Sequence, residues 1–217
     1  MNKIIPVLSI LLGLIVSLEV QSDSPSFVHR PVYAGINGGF GSTTWGFLVP
    51  SYDNQNSALS ISTPIRVNEG GGVYGIFAGY EFTRYFAIEA NYRNFPDAAL
   101  TYDSFSMYSF DHDGETELLT ETDTLNLMAK VMLTLPGSAA RLYSSFGVAG
   151  VHRLDGMNRQ WKPSAAFGAG FNADLTERLM IEIGFNYTAG YGESEINPAN
   201  SYIPFLFSAT LGLGFRF

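Results

Sequence analysis

The stretch LMIEIGFNYT, residues 179–188, alternates without a break. Leu179, Ile181, Ile183, Phe185 and Tyr187 fall on one face, and Met180, Glu182, Gly184, Asn186 and Thr188 on the other, which is the period of two of an extended strand. The same reading holds at the end of the chain. Phe205, Phe207, Ala209, Leu211, Leu213, Phe215 and Phe217 oppose Leu206, Ser208, Thr210, Gly212, Gly214 and Arg216. Tyr74, Ile76, Ala78, Tyr80 and Phe82 likewise oppose Gly75, Phe77, Gly79 and Glu81.

Working outward from these segments, the pattern gives eight strands, at 32–41, 72–82, 86–95, 119–133, 142–152, 163–174, 179–190 and 202–217. Their connections tend to alternate between long (42–71, 96–118, 153–162, 191–201) and short (83–85, 134–141, 175–178). A soluble sandwich would turn its apolar face inward and a charged face to water. Here the face opposite the apolar one is mostly Gly, Ala, Ser and Asn, which suits a narrow enclosed interior with the apolar face against lipid. Only a closed sheet satisfies every strand hydrogen bond in a bilayer. The expected fold is therefore all-β, an eight-stranded antiparallel up-and-down transmembrane β-barrel with both termini on the short-turn side and little free bore. Tyr33, Phe82, Tyr85, Phe86, Tyr92, Phe95, Trp161, Tyr187, Tyr191 and Tyr202, near strand ends, are expected in the interfacial aromatic girdles.

Composition agrees with this reading. Charged residues make up 15% of the 217, where soluble domains carry roughly a quarter. The 23 Gly, 17 Phe and 12 Tyr speak against an all-helical chain. Twelve Lys and Arg against 20 Asp and Glu give a net charge of −8, so no basic patch is available for nucleic acid. The absence of cysteine excludes disulfides, thiolate metal sites and cysteine nucleophiles. At the N-terminus Lys3 precedes the apolar run IIPVLSILLGLIVSL, residues 4–18, which is shorter than the roughly 20 residues of a spanning helix. Val20 and Ser22 supply the small residues of a cleavage site. The expected organisation is a signal peptide at 1–22, a periplasmic tether at 23–31 and the barrel at 32–217.

Two hairpins carry a family resemblance. GYEFTRYFAIEANYRNF (79–95) and GAGFNADLTERLMIEIGFNY (168–187) resemble early and late hairpins of the small OmpA-like and OmpX-like outer-membrane barrels, a group that also includes opacity-type surface proteins. The terminal LGLGFRF resembles the closing strand read by the barrel-assembly machinery, with Phe215 and Phe217 as the assembly signal. The resemblance implies an outer-membrane location in a Gram-negative bacterium, contact with outer-membrane lipid and lipopolysaccharide, and no cofactor. It does not fix a task, because this barrel hosts structural proteins, adhesins and lipid-modifying enzymes.

Parity places Glu81, Glu89, Arg93, Lys130, Asp174, Glu182 and Arg216 in the lumen, where buried charges must pair. The expected role is a salt-bridge plug that fixes strand register, and the rival is a gated ion path. The second long loop and its flanks hold Asp97, Asp103, Asp111, Asp113, Glu115, Glu117, Glu121 and Asp123 with no Lys or Arg, an anionic outer surface. Within it DHDG, residues 111–114, has the spacing of part of an EF-hand loop, but Ser109 and Thr120 occupy the first and twelfth positions, so no metal site is expected. His29 and His112 are expected to be solvated. His152 falls opposite Asp123 if Leu133 pairs with Leu142, half of an acyl-transfer constellation whose Ser164 should face inward.

These readings converge on a non-catalytic barrel that acts structurally or through its 42–71 and 96–118 loops on a host or neighbouring surface molecule. Trp45, Phe47, Tyr52, Tyr102, Phe105, Tyr108 and Phe110 are its contact anchors, or else pack the loops on one another. The alternatives are an outer-leaflet lipid A-modifying enzyme and a narrow ion or small-solute channel.

Overall fold

The computed structural model describes residues 30–49, 62–190 and 202–217. The expected signal peptide, most of the tether with His29, the tip of the first long loop with Tyr52, and residues 191–201 with Tyr191 lie outside the described residues.

Eight long strands form one closed antiparallel sheet. They are β1 (Val32–Thr43), β3 (Gly71–Thr83), β4 (Phe86–Thr101), β5 (Glu117–Thr134), β6 (Ala140–Leu154), β7 (Arg159–Asp174), β8 (Leu179–Thr188) and β9 (Leu206–Arg216). Each pairs with its sequence neighbours, and β1 pairs with β9 to shut the barrel. A short strand, β2 (Arg66–Asn68), extends the sheet beside the outer end of β4. The chain is thus an eight-stranded antiparallel β-barrel.

The alternation sorts side chains as the period of two requires. Ile36, Tyr74, Ile76, Leu125, Val148 and Phe185 stand on the outer wall, while Glu89, Asn91, Lys130 and Tyr143 are buried inside. Aromatic side chains collect near both rims of that wall. At the short-turn end Phe82 packs on Tyr80 at 4.8 Å and on Phe86 at 5.7 Å, and Phe215 meets Phe217 at 5.2 Å. At the long-loop end Tyr187 stacks on Phe205 at 6.0 Å.

Three girdle assignments are corrected: Tyr33, Phe95 and Tyr202 are buried rather than lipid-facing. Tyr33 and Phe95 lie near strand ends but on the inward parity, and pleat geometry outranks position along the strand. Tyr202 packs inward against Trp45 at 5.1 Å.

The strands also run further outward than the alternation suggested. The alternation ends the expected strand at Phe95, just before Pro96, which cannot donate to a ladder. Instead the chain absorbs Pro96 and Asp97 in a bulge, and pairing resumes at Ala98 with Thr120. The loop expected at 96–118 is therefore a protruding hairpin whose irregular tip spans only 102–116.

Candidate functional site

Three levels of side chains close the barrel from within. Nearest the short turns, Arg141 Nη1 and Nη2 grip Glu81 at 3.0 and 3.1 Å, a two-pronged guanidinium–carboxylate pair. Arg216 donates to the same Glu81 at 2.6 Å and to Asp174 at 2.8 Å. Two cations meet two anions here. Arg141 lay one residue outside the expected fifth strand, so it was missed although extending the parity from Tyr143 would have found it.

One level further out, the Lys130 ammonium donates to Glu89 at 2.5 Å and to Glu182 at 2.8 and 3.0 Å. The Tyr33 hydroxyl donates to Glu89 at 3.0 Å and that of Tyr143 to Glu182 at 2.9 Å. The Lys130 ammonium also sits 4.4 Å above the Tyr143 ring. These tyrosines fit because Gly79 and Gly170 leave them room. A Cβ at Gly79 would run into the Tyr33 ring, and one at Gly170 would stand 2.7 Å from the Tyr143 hydroxyl. Of the seven expected lumen charges, Arg93 makes no ion pair among the described residues, and its Nε has no hydrogen-bond partner there. It is balanced over distance by Glu89 and Glu182.

Above the charges, Val73, Phe95, Met128, Val151, Ile203 and Leu206 form an apolar layer inside the barrel. A separate cluster then seals the outer mouth. Trp45 lies at its centre, fully buried, with Leu100, Tyr102, Tyr108, Leu118 and Tyr202 around it. Glu69 fixes the 3-10 turn Trp45–Leu48 by accepting the backbone N–H of Trp45 at 2.8 Å and of Gly46 at 3.1 Å. The Arg153 guanidinium lies 4.5 Å from the Trp45 ring, binds Asp155 at 2.5 Å and donates to the Tyr202 carbonyl at 2.8 Å. Arg153 was missed for the same reason as Arg141, one residue past an expected strand end.

The protruding hairpin carries a short helix, α1 (Met107–Asp111), whose N-cap Ser106 accepts from the Ser109 N–H. This turn divides the tip. Tyr108 points in and stacks between Tyr102 at 4.4 Å and His112 at 4.3 Å, so His112 is part of the packing rather than simply solvated. Burial raises the phenolic pKa of Tyr102, Tyr108 and Tyr202 above the ordinary value. Facing out are Phe105, 78% exposed, Phe110, 68%, and Met107, 48%. Asp103, Asp111, Asp113, Glu115 and Glu117 are all exposed around them. Of the aromatic anchors, Trp45, Tyr102 and Tyr108 thus pack the loops together, whereas Phe47, Phe105 and Phe110 stay free. Among the described residues no three His, Asp or Glu gather as metal ligands.

His152 does pair with Asp123 across β5 and β6, Nδ1 to Oδ2 at 3.5 Å. Asp123 is also held by the Tyr92 hydroxyl and the Asn94 amide, both at 2.8 Å, and Trp161 lies flat on His152 at 4.7 Å. Ser164 turns away and donates to the Ala189 carbonyl, so it does not join the pair as a nucleophile.

The sequence profile described as the outer membrane protein beta-barrel domain matches residues 8–217. Among solved structures, the chain is similar to Neisserial surface protein A (12% identity, covering 86% of this chain and 97% of that one, TM-score 0.52). It is similar also to the outer membrane protein OprG from Pseudomonas aeruginosa (14%, 87% and 98%, TM-score 0.52). The N-terminal β-barrel domain of Pseudomonas aeruginosa OprF aligns at 18% identity over 85% of this chain and 97% of that one, TM-score 0.46. No curated protein matches the chain.

Proposed function

We propose, since this chain belongs to the outer membrane protein beta-barrel family, that it is a non-catalytic barrel whose task is to present the tip of the β4–β5 hairpin outside the cell. The observation that carries the reading is the division of that tip. Its inner aromatic side chains seal the mouth, while Phe105, Met107 and Phe110 stand in water among five acids, and exposed apolar patches with a polar surround mark interaction surfaces. The partner is a surface molecule of a host or neighbouring cell with an apolar, positively charged face, by charge complementarity.

The lumen has a structural role in this account. Glu81, Asp174 and Arg216 form one charge layer with Arg141, and Glu89, Lys130 and Glu182 a second, with Arg93 as the balancing cation. Together they lock strand register, and the apolar layer and the Trp45 cap add two further closures, which weighs against a solute path. The turn of Ser164 away from His152 weighs against acyl transfer. Residues 1–22 direct export of a Gram-negative outer-membrane protein, 23–31 tether the barrel on the periplasmic side, and Phe215 and Phe217 are read by the assembly machinery.

The test is adhesion of bacteria that carry the protein to epithelial monolayers, with Phe105→Ser/Met107→Ser/Phe110→Ser as the variant at equal surface level. Adhesion should fall to that of cells lacking the protein. Adhesion by the variant equal to that of the natural chain, or none by either, would remove the reading.

A further inference from the structure

The outer wall is not uniformly filled. On the lipid-facing side, across the middle of β5 and the outer parts of β6 and β7, there is a groove of about 430 Å³, within the size range of small-molecule sites. Leu125, Leu127 and Val148 stand along it, and the recess arises where outward positions carry only Ala90, Gly150 and Pro163. Trp161 closes its outer end. A Cβ at Gly150 would come within 3.2 Å of the Trp161 ring, so the missing side chain lets the indole lie against the wall. On its far side the indole is stacked on His152, which Asp123 braces.

Directly outward of Trp161, on the same strand parity, lies Arg159. It is exposed. Lys130, Arg93, Arg141, Arg153 and Arg216 are buried inside, Lys162 in the groove lining is half-buried, and Arg66 on β2 is a second exposed cation at the outer end. An exposed cation beside a tryptophan at the edge of an apolar groove has the two chemistries of an anionic amphiphile in register: a charge for a phosphate and a slot for a chain.

We propose that this groove is a binding site for one phosphorylated lipid of the outer leaflet, with an acyl chain lying along Leu125, Leu127 and Val148 beneath Trp161 and the phosphate on Arg159. The occupant is a bilayer lipid because the groove opens on the lipid-facing wall, where acyl chains are the surrounding medium. The inference rests on the membrane placement of the barrel and not on the hairpin tip, so the adhesion test can fail while this one succeeds.

Trp161 reports on the site. The chain has two tryptophans, and Trp45→Phe leaves Trp161 as the sole emitter. If that variant does not fold, the natural chain serves, since Trp45 is fully buried and gives a constant background. The protein is reconstituted in phosphatidylcholine vesicles containing a minor fraction of dibrominated phosphatidylglycerol or, in parallel, dibrominated phosphatidylcholine. The brominated anionic lipid should quench Trp161 more strongly than the zwitterionic one at the same fraction. Arg159→Gln should abolish that excess, and Ala90→Phe, which fills the groove from the lipid side, should abolish it as well. Equal quenching by the two lipids, or an excess that survives either substitution, would overturn the proposal.

Discussion

Replacing Lys130 by Met tests whether the lumen charges are a plug or an ornament. The Lys130 ammonium is buried between Glu89 at 2.5 Å and Glu182 at 2.8 Å. Counting Arg93, the natural layer holds two cations and two anions; Lys130→Met leaves one cation against two anions. Methionine fills most of the volume, so the loss is electrostatic rather than a cavity. Removing one partner of a buried ion pair typically costs about 3–5 kcal/mol, because the remaining charge stays desolvated. Part of this returns if one anion is removed too. The double variant Lys130→Met/Glu182→Gln leaves Glu89 against Arg93, restores neutrality and should recover more than half of the loss. The assay is urea unfolding of the protein in lipid vesicles, with Trp fluorescence and the heat-modifiable gel shift as independent probes and linear extrapolation to water. A single-variant loss under about 1 kcal/mol, or a double variant less stable than the single one, would refute the reasoning.

Other consequences are equally direct. The outer cap should loosen in alkali. Burial holds the Tyr102 and Tyr108 phenols above their ordinary value of about 10, so the unfolded cap ionises first; the stability they contribute is complete below that pH and declines as pH rises beyond it, which Trp45 emission in a Trp161→Phe background will follow. Tyr102→Phe should leave the cap as stable or slightly more so, since the buried Tyr102 hydroxyl has no hydrogen-bond partner among the described residues; a loss above about 1 kcal/mol in the same emission assay contradicts this. In planar bilayers the natural chain should give no conductance steps, and regular openings would count against the sealed lumen. Lipid A from cells expressing the protein should have the same mass spectrum as that from vector cells and from His152→Ala cells, whereas an acyl-chain shift lost in the variant would make the chain an enzyme.

Much of this architecture is legible in the sequence because a membrane barrel obeys one simple rule. Each strand needs opposite chemistry on its two faces, so LMIEIGFNYT and the last thirteen residues declare their wall and lumen sides directly. Parity also carried Asp123 to His152, a pairing that depended only on aligning Leu133 with Leu142. What parity could not supply was the reach of each strand. Arg141 and Arg153 stood one residue beyond the expected limits, although they hold Glu81 and the Trp45 cap. Pro96 concealed the outer third of β4, since a bulge is a tertiary remedy that local preference does not announce. Packing between loops was hidden for a further reason. Trp45 and Phe47 are both apolar residues in the same connection, and only the position of Glu69, Arg153 and Tyr202 around the first decides that one is buried and the other free.

The claim on which the account stands is that the β4–β5 hairpin faces the outside of the cell. The natural chain has no cysteine, so single cysteines report without interference. Ser104→Cys places a thiol on the exposed hairpin tip, and Glu177→Cys one in the exposed turn between β7 and β8. With a membrane-impermeant maleimide, intact cells should label at position 104 and not at 177, and permeabilised cells at both. Labelling of intact cells at 177 but not at 104 would place the hairpin on the inner side and contradict the account.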